Sequence, residues 1–538
     1  MAQWQEMPTQ WIEGRWLKTS RQATRGLLAN CSWAITLEPQ NGQCTVHHDI
    51  IVQPRNIVAV VLWALFGRPY LDRRIHEASK TVALWAKGAI DHPMPRPRAL
   101  ASQTRTALSD RAMLADGSEY GRGQVSRLVR WMSQAQREDT ALIRPKTLAA
   151  LWNAKPDEVT EILFAASAAG ILVKRWLLSC PNCGQLVSNT ERLSEIREPA
   201  RCQQCTAEVK VDLAHNVEVA FAPAEDLRGF QTARYAWDSP ADHPAIQARV
   251  KIAAKSKWAI RLPAARAGLR ARVIGTGSAA TVASNGRTSR FSVINGTISA
   301  EQSKESKEAI ELVNHDDVDQ DIALGSSDLA KCGYAARRVL LLQAHRDIGS
   351  KELPSKDHAF VLSDVAIMAT DLAGLAARYQ RGGDADTFKA VSELLRETTD
   401  IVRDCGGSVA SRLGEIVIAV FPDPKKAFAA VSLLSAHSKE IGLSAFRGSI
   451  DVGDLVASAH KGRLVMKGPD IEHAIAILHK LETGEIGLGS KLANASSLIK
   501  LIQGYTLSDI DDQGLNAQKF RIGERPKAGD PDQSASAA

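Results

Sequence analysis

No apolar run in this sequence is long enough to cross a bilayer. The most hydrophobic stretch, Ile57 to Phe66, falls well short of the ~20 residues a spanning helix needs. The opening Met1-Ala-Gln-Trp-Gln-Glu6 lacks the basic start and apolar core of a secretory signal. Net charge is scarce too: +7 over 538 residues does not by itself call for nucleic acid. Cysteine is sparse, eight in all with four clustered. That excludes a dense disulfide framework and favours metal binding in a reducing compartment. Together these absences point to a cytoplasmic protein without a membrane span. What is present is ordinary, 44% hydrophobic and 24% charged residues, the composition of a soluble globular chain. Its length exceeds what one core can fill and predicts several domains.

Residues 1–90 read as strands and then a helix. Trp11-Ile-Glu-Gly-Arg-Trp16, Ser32 to Leu37 and Cys44 to Val52 have strand composition, and Gln40-Asn-Gly42 has that of a hairpin turn. Pro54-Arg-Asn56 leads into a long amphipathic helix ending near Lys87. This order resembles the later half of a START-like helix-grip domain, in which a C-terminal helix lies across a curved sheet. The earlier strands are missing. Either the chain is truncated at its N-terminus or the sheet offers an open edge to pair with something. Residues 91–123, with Pro93-Met-Pro-Arg-Pro97 and scattered arginines, read as a flexible or extended linker.

Residues 124–178 predict a winged-helix-like segment. Arg144 to Trp152 is one helix. Pro156 opens a second, which Gly170 closes, and Ile171 to Leu178 is a strand. A DNA-reading second helix needs exposed basic and polar residues. Asp157-Glu-Val-Thr-Glu161 is acidic instead, which disfavours nucleic acid as a partner. Residues 179–215 carry the most specific local motif, C-x2-C-x18-C-x2-C, from Cys180, Cys183, Cys202 and Cys205. Two such knuckles bring four thiolates to one structural zinc ion. With all four positions filled there is no place for a catalytic water. The alternative is four unliganded or redox-active cysteines. Residues 216–328 hold many short strands between turn signals and predict a β-sandwich, with Glu301 to Lys307 as a solvated loop. In 329–357, Tyr334 to Arg346 predicts a connecting helix. The tail 525–538 reads as disordered.

Residues 358–524 organise the rest. An apolar run, Val365-Ala-Ile-Met-Ala-Thr370, delivers Asp371 at its end, followed by Leu372-Ala-Gly374. Phe388, Val391, Leu394, Leu395, Thr398, Ile401 and Val402 recur at helical spacing, and Gly406-Gly407 stops that helix. Two strands, Ser408 to Leu413 and Ile416 to Phe421, are hinged at Gly414-Glu415. A helix near Lys425 to Ile441, a strand at Leu443 to Val452, a helix at Ile471 to Leu481 and a strand at Ile486 to Leu488 follow. This β-α-β-β-α-β order predicts a ferredoxin-like sheet with helices on one face.

The pattern resembles the catalytic domain of class III adenylate and guanylate cyclases. The matching stretches are Ala369-Thr-Asp-Leu-Ala-Gly374, Gly406-Gly-Ser-Val409, Arg412-Leu-Gly-Glu-Ile-Val-Ile-Ala-Val-Phe421, Gly448-Ser-Ile-Asp-Val-Gly453 and Gly468-Pro-Asp-Ile-Glu-His-Ala474. The segments before it also resemble an uncharacterised multidomain region that precedes cyclase domains in some bacterial proteins. The fold class expected is multidomain α+β, with a ferredoxin-like cyclase domain, a β-sandwich, a zinc ribbon, a winged-helix-like segment and a partial helix-grip segment.

The resemblance implies two divalent cations, magnesium or manganese, held by two carboxylates while the ribose hydroxyl attacks the α-phosphate of ATP or GTP. Asp371 matches the first carboxylate, and Glu415 stands at the second, one methylene longer. The base-reading lysine of the family falls at Ser411, and its polar companion at Val465. The asparagine and arginine of the transition state fall at Glu472 and Ala476. Losing such an arginine costs orders of magnitude in rate. Three readings stay open: a remnant of an ancestral site, the metal-donating half of a heterodimer, and a weakly active homodimer. The resemblance thus implies a signalling protein with a cyclase-homology domain that is impaired alone and serves regulation, dimerisation or nucleotide binding. Its alternatives are an active cyclase, and a zinc-ribbon and winged-helix regulator of nucleic acid.

Overall fold

The computed structural model describes residues 3–40, 42–89, 100–135, 137–196, 199–203, 205–227, 240, 243, 245–262, 269–282, 288–302, 309–326, 333–349, 359–372, 384–440, 446–460, 463–493, 502, 505–510 and 515–521. The chain separates into two compact units, Met1–Glu191 with Ile196–Ala335, and Arg192–Glu195 with Ala336–Ala538. Among the described residues no helix is long and apolar enough to cross a membrane.

The first unit opens with a meander of β1 (Gln3–Ile12), β2 (Trp16–Arg25), β3 (Leu28–Gln40) and β4 (Gln43–Pro54). The expected strand Trp11 to Trp16 is instead the corner between β1 and β2, because Gly14 adopts φ +65° and turns the chain back. Asn56 caps the following helix, its Oδ1 accepting from the Ala59 N–H at 2.8 Å. The helix runs through Ile57–Leu62, a widened turn at Trp63–Gly67, and Arg68–Ala86.

The expected linker is helical from Ser102 to Asp116. Leu108, Ala112 and Ala115 fall on one face and are buried, a helical stripe that the scattered arginines obscure in the sequence. Helices Val125–Gln134, Arg137–Ala141, Pro145–Trp152 and Pro156–Ala168 follow. They precede β5 (Leu172–Ser179), β6 (Leu186–Thr190), β7 (Ala200–Arg201), β8 (Glu208–Val209) and β9 (Val217–Pro223). β9 is buried on both faces from Val217 to Phe221. It pairs with β5, Val219 opposite Trp176, so it belongs to the helical segment and not to the sandwich expected from residue 216.

The sandwich comprises β10 (Ile246–Ile252), β11 (Lys257–Ile260), β12 (Leu269–Val273), β13 (Ala279–Thr281), β14 (Thr288–Ile294), β15 (Thr297–Gln302), β16 (Ile310–Asn314) and β17 (Gln320–Ser326). One sheet runs β11-β16-β14-β15, and the other runs β13-β12-β17-β10-β1-β2-β3-β4. Val250, Leu269, Val273, Phe291, Val293, Leu312 and Leu324 form their common core. The N-terminal meander is therefore not a separate sheet. Trp11 and Ile12 of β1 pair with Arg249 and Ala248 of β10, which closes one of its edges and leaves β4 terminal. β18 (Tyr334–Ala335) pairs with β9. Two short helices, Ala336–Leu340 and Gln343–Ile348, stand where one connecting helix was expected.

The second unit contains β19 (Phe360–Leu372), β20 (Ser408–Leu413), β21 (Ile416–Phe421), β22 (Phe446–His460), β23 (Arg463–Lys467), β24 (Glu485–Gly489), β25 (Ser508–Asp509) and β26 (Ala517–Arg521). Its sheet runs β20-β21-β19-β22-β24-β26-β25, with β23 paired to β22. The first four strands thus alternate as the split β-α-β-β-α-β order requires. Helices Asp384–Asp404 and Pro424–Glu440 bury Leu394, Val402, Phe428 and Val431 in one core with Met368, Phe421 and Ile450. The helix Pro469–His479 lies on the opposite face, which corrects the expectation of helices on one face. Strand alternation decides it. A Cβ on Gly448 would meet Val431, whereas one on Gly487 would meet Ile477. Between them Ser449 Oγ donates to the Ala474 carbonyl at 2.7 Å. Ala373 and Gly374, most of the loop 301–307 and the tail from Arg525 lie outside the described residues.

Candidate functional site

Asp371 ends the central strand β19, on the face covered by Pro469–His479. Register sets its neighbours, because Asp371 stands opposite Arg447 on β22 and Ile416 on β21. The Asp371 carboxylate is 8% exposed, and Arg447 reaches it from the adjacent strand. Arg447 Nε and Nη2 both donate to Asp371 Oδ2, at 2.8 and 2.5 Å. Arg447 Nη1 donates to the Leu481 carbonyl at 3.2 Å, which ties the pair to the end of the Pro469–His479 helix. Asp371 Oδ1 is buried and has no hydrogen-bond partner among the described residues. Glu415 is half-buried in the tight β20–β21 turn, directly after Gly414 at φ +61°, and next to the residue that pairs with Asp371.

The other positions expected from the sequence fall on two strands and one helix. Ser411 stands on β20 opposite Ile418, and Val465 on β23 opposite Ser458. Their strands are joined by Arg346. Its Nη1 lies 3.5 Å from both the Ala410 and the Leu464 carbonyls, and its Nε donates to Ser408 Oγ at 3.0 Å. Burial draws the Arg346 guanidinium down to about 10. Glu472 is exposed and Ala476 half-buried, one turn apart on a single stripe of their helix. Beside them His473 Nδ1 meets Asp451 Oδ2 at 2.6 Å, and Asp451 is 3% exposed. Sequence reasoning missed Arg447, Arg346 and the Asp451–His473 pair. Arg447 sits immediately before the matching Gly448 stretch, yet only strand register reveals what it faces.

A divalent cation does not fit this carboxylate as it stands. One Asp371 oxygen already accepts two hydrogen bonds from a guanidinium, and a cation on the other would meet that charge across a few ångströms. Among the described residues no group of three or more acidic or histidine side chains converges here.

The four cysteines do converge. Cys180, Cys183, Cys202 and Cys205 are buried, and their sulfurs lie within 4.8 Å of one another. Cys180 and Cys205 Sγ are 3.6 Å apart, and Cys183 and Cys202 Sγ 3.5 Å. A zinc ion with Zn–S bonds of 2.3 Å sets sulfurs at about 3.8 Å, so the cluster fits zinc. The first knuckle follows β5, with Gly184 at φ +77° and its N–H donating to the Cys180 carbonyl at 2.8 Å. The second spans β7 and β8. The neighbouring Cys183 side chain draws the Cys180 thiol down, and burial pushes that of Cys205 up.

Two further features concern the expected modules. In the helix Pro156–Ala168 every residue from Val159 to Ala166 is buried, so no face of its central turns is open to a DNA groove. Between β4 and the N-terminal helix lies a cleft of ≈ 620 Å³, lined among others by His48, Ile50, Trp63, Leu71 and His76.

No family model and no curated protein matches this sequence. Part of the chain resembles nucleotidyl cyclase catalytic domains of known structure. The adenylyl cyclase CyaB from P. aeruginosa is 18% identical and covers 32% of this chain and 100% of its own, at a TM-score of 0.26. The monomeric guanylyl cyclase domain of the RhoGC fusion protein from the aquatic fungus Blastocladiella emersonii is 15% identical, covering 31% and 98%, at 0.26. A non-canonical dimeric form of the same fungal domain is 14% identical, covering 30% and 96%, at 0.26.

Proposed function

We propose that residues 358–524 are a cyclase-homology domain that does not turn nucleotide over by itself and acts in signalling by dimerisation or nucleotide binding. The single observation that carries this reading is the Asp371–Arg447 pair. A guanidinium stands where the cyclase reaction needs a metal ion, and it neutralises the carboxylate that would hold that ion. The replacements at Ser411, Val465, Glu472 and Ala476 agree with it, since they remove base reading and transition-state charge. With Arg447 on Asp371, the described residues do not fit magnesium or manganese.

One observation favours a second reading, the metal-donating half of a heterodimer. Asp371 Oδ1 is buried without a partner among the described residues, and Glu415 adjoins the residue that pairs with Asp371. A partner domain that drew Arg447 away would leave two carboxylates on this chain. A nucleic-acid regulator gains no such support, given the buried central turns of Pro156–Ala168.

Incubating the full chain with ATP or GTP and manganese, beside an Asp371→Ala control, tests the first reading by mass spectrometry. The expected result is no cyclic nucleotide. Cyclic product that disappears in the control overturns it and makes Asp371 a working ligand.

A further inference from the structure

Arg272 on β12 is a buried cation with no acid paired to it among the described residues. Its side chain is 0% exposed. Its Nη2 donates to the Ser326 carbonyl at 2.7 Å and its Nε to the Pro181 carbonyl at 3.3 Å. Its Nη1 is buried with no hydrogen-bond partner among the described residues. A guanidinium taken out of water costs several kcal/mol unless an opposite charge faces it. Pro181 lies inside the first cysteine knuckle, so the charges that face Arg272 are those of Cys183 and Cys180, opposed by the like charge of Arg270.

A zinc ion held by four thiolates carries a net charge of about −2, the compensation that Arg272 needs. The sandwich and the knuckle thus each present one half of a buried charge pair.

The same knuckle is gripped from other sides. A Cβ on Gly277 would lie 3.4 Å from Asn182, and one on Gly184 2.9 Å from Ile246. His243 Nδ1 donates to the Gly184 carbonyl at 3.2 Å. Trp11 of β1 stacks on His243 with ring centroids 6.2 Å apart, and its Nε1 donates to the Ile246 carbonyl at 3.2 Å. The sandwich therefore touches the knuckle directly at residues 181–184, and Trp11 of the N-terminal meander reaches it through His243 and Ile246.

We infer that Arg272 is the charge partner of the zinc-loaded thiolate cluster, and that zinc loading docks the knuckle onto the sandwich and the β1 strand. Arg272 is a positioning residue here, acting through charge and through its hydrogen bonds to Pro181 and Ser326. Groups around zinc ligands of this kind commonly tune metal affinity by 10–100-fold.

The test uses the full chain. Zinc content is measured by elemental analysis, and release to a chelator is followed with a metallochromic dye, for wild type, Arg272→Gln and Arg272→Lys. The expected result is one zinc per chain in wild type, release about tenfold faster or more in Arg272→Gln, and a smaller change in Arg272→Lys. Hydrogen exchange on the wild type gives a readout independent of any variant's folding. Chelation is expected to lift amide protection at residues 182–184, in β12 and at Trp11, and to leave β19–β22 protected. Wild-type protein that binds no zinc overturns the inference. So does zinc release from a folded Arg272→Gln at the wild-type rate, or protection at β12 and Trp11 that chelation leaves unchanged.

Discussion

Asp371 and Arg447 form an ion pair in which the guanidinium compensates a buried carboxylate. Removing only the arginine leaves a buried carboxylate uncompensated. Arg447→Met is expected to destabilise the second unit by about 2–4 kcal/mol, and Asp371→Asn with Arg447→Met together by less than the sum of the single changes. Urea unfolding of the four proteins closes that cycle. Manganese should raise the melting temperature of Arg447→Met and leave wild type unmoved, as a carboxylate freed for a cation would require.

Lys174 offers a second test. It is 4% exposed and lies over the rings of Phe164 and Trp176, 5.8 and 4.8 Å from their centroids. Burial draws its ammonium down from 10.5 to about 7. Between those values the unfolded chain holds a proton that the folded chain lacks, so stability of the first unit rises with pH across that window. Below about 7 both states are protonated and the slope vanishes. Thermal melts of Lys174→Met from pH 7 to 10 should be flatter than wild type, and higher at pH 7.

At the scale of elements, helix ends and faces follow different rules. Gly406 at φ +77° ends Asp384–Asp404 in the left-handed region, as its sequence position suggests. Gly407 answers to packing instead, because a Cβ there would lie 2.4 Å from the Phe421 ring and 2.8 Å from the Val420 carbonyl. Gly406→Ala should cost about 1 kcal/mol and Gly407→Ala about 2–3 kcal/mol, read as shifts of the urea midpoint. Helix Pro156–Ala168 carries an acidic first turn, Asp157 and Glu158, and then eight successive buried residues. A salt-dependent shift of duplex DNA by the full chain is therefore not expected, and observing one would return that helix to consideration. Periodicity located these helices well. It could not say which side of a sheet each would take, because helix Pro469–His479 is apolar enough to pack on either face.

At the scale of the molecule, two compact units predict two calorimetric transitions. The four cysteines, whose spacing fits zinc, belong to the first unit, so chelation should lower one transition and leave the other in place. The N-terminal meander is stabilised through β10, nearly 240 residues away in sequence. Deleting β1–β4 would therefore uncover an edge of the sandwich sheet as well as remove a module.

Local chemistry alone determined much of this protein. The cysteine spacing, the strand ending in Asp371, the glycine pair after Asp404 and the β-α-β-β-α-β order all depend on residues near one another in the chain. The residues at Ser411, Val465, Glu472 and Ala476 were legible for the same reason, because identity at a position needs no coordinates. Only the tertiary structure decided that Arg447 takes Asp371, that Arg272 faces the cysteine knuckle, that β9 leaves the sandwich, and that β1 joins it. Each of these is a matter of strand register or sheet partnership between distant segments, where many pairings satisfy the same hydrophobic alternation and the packed whole selects one.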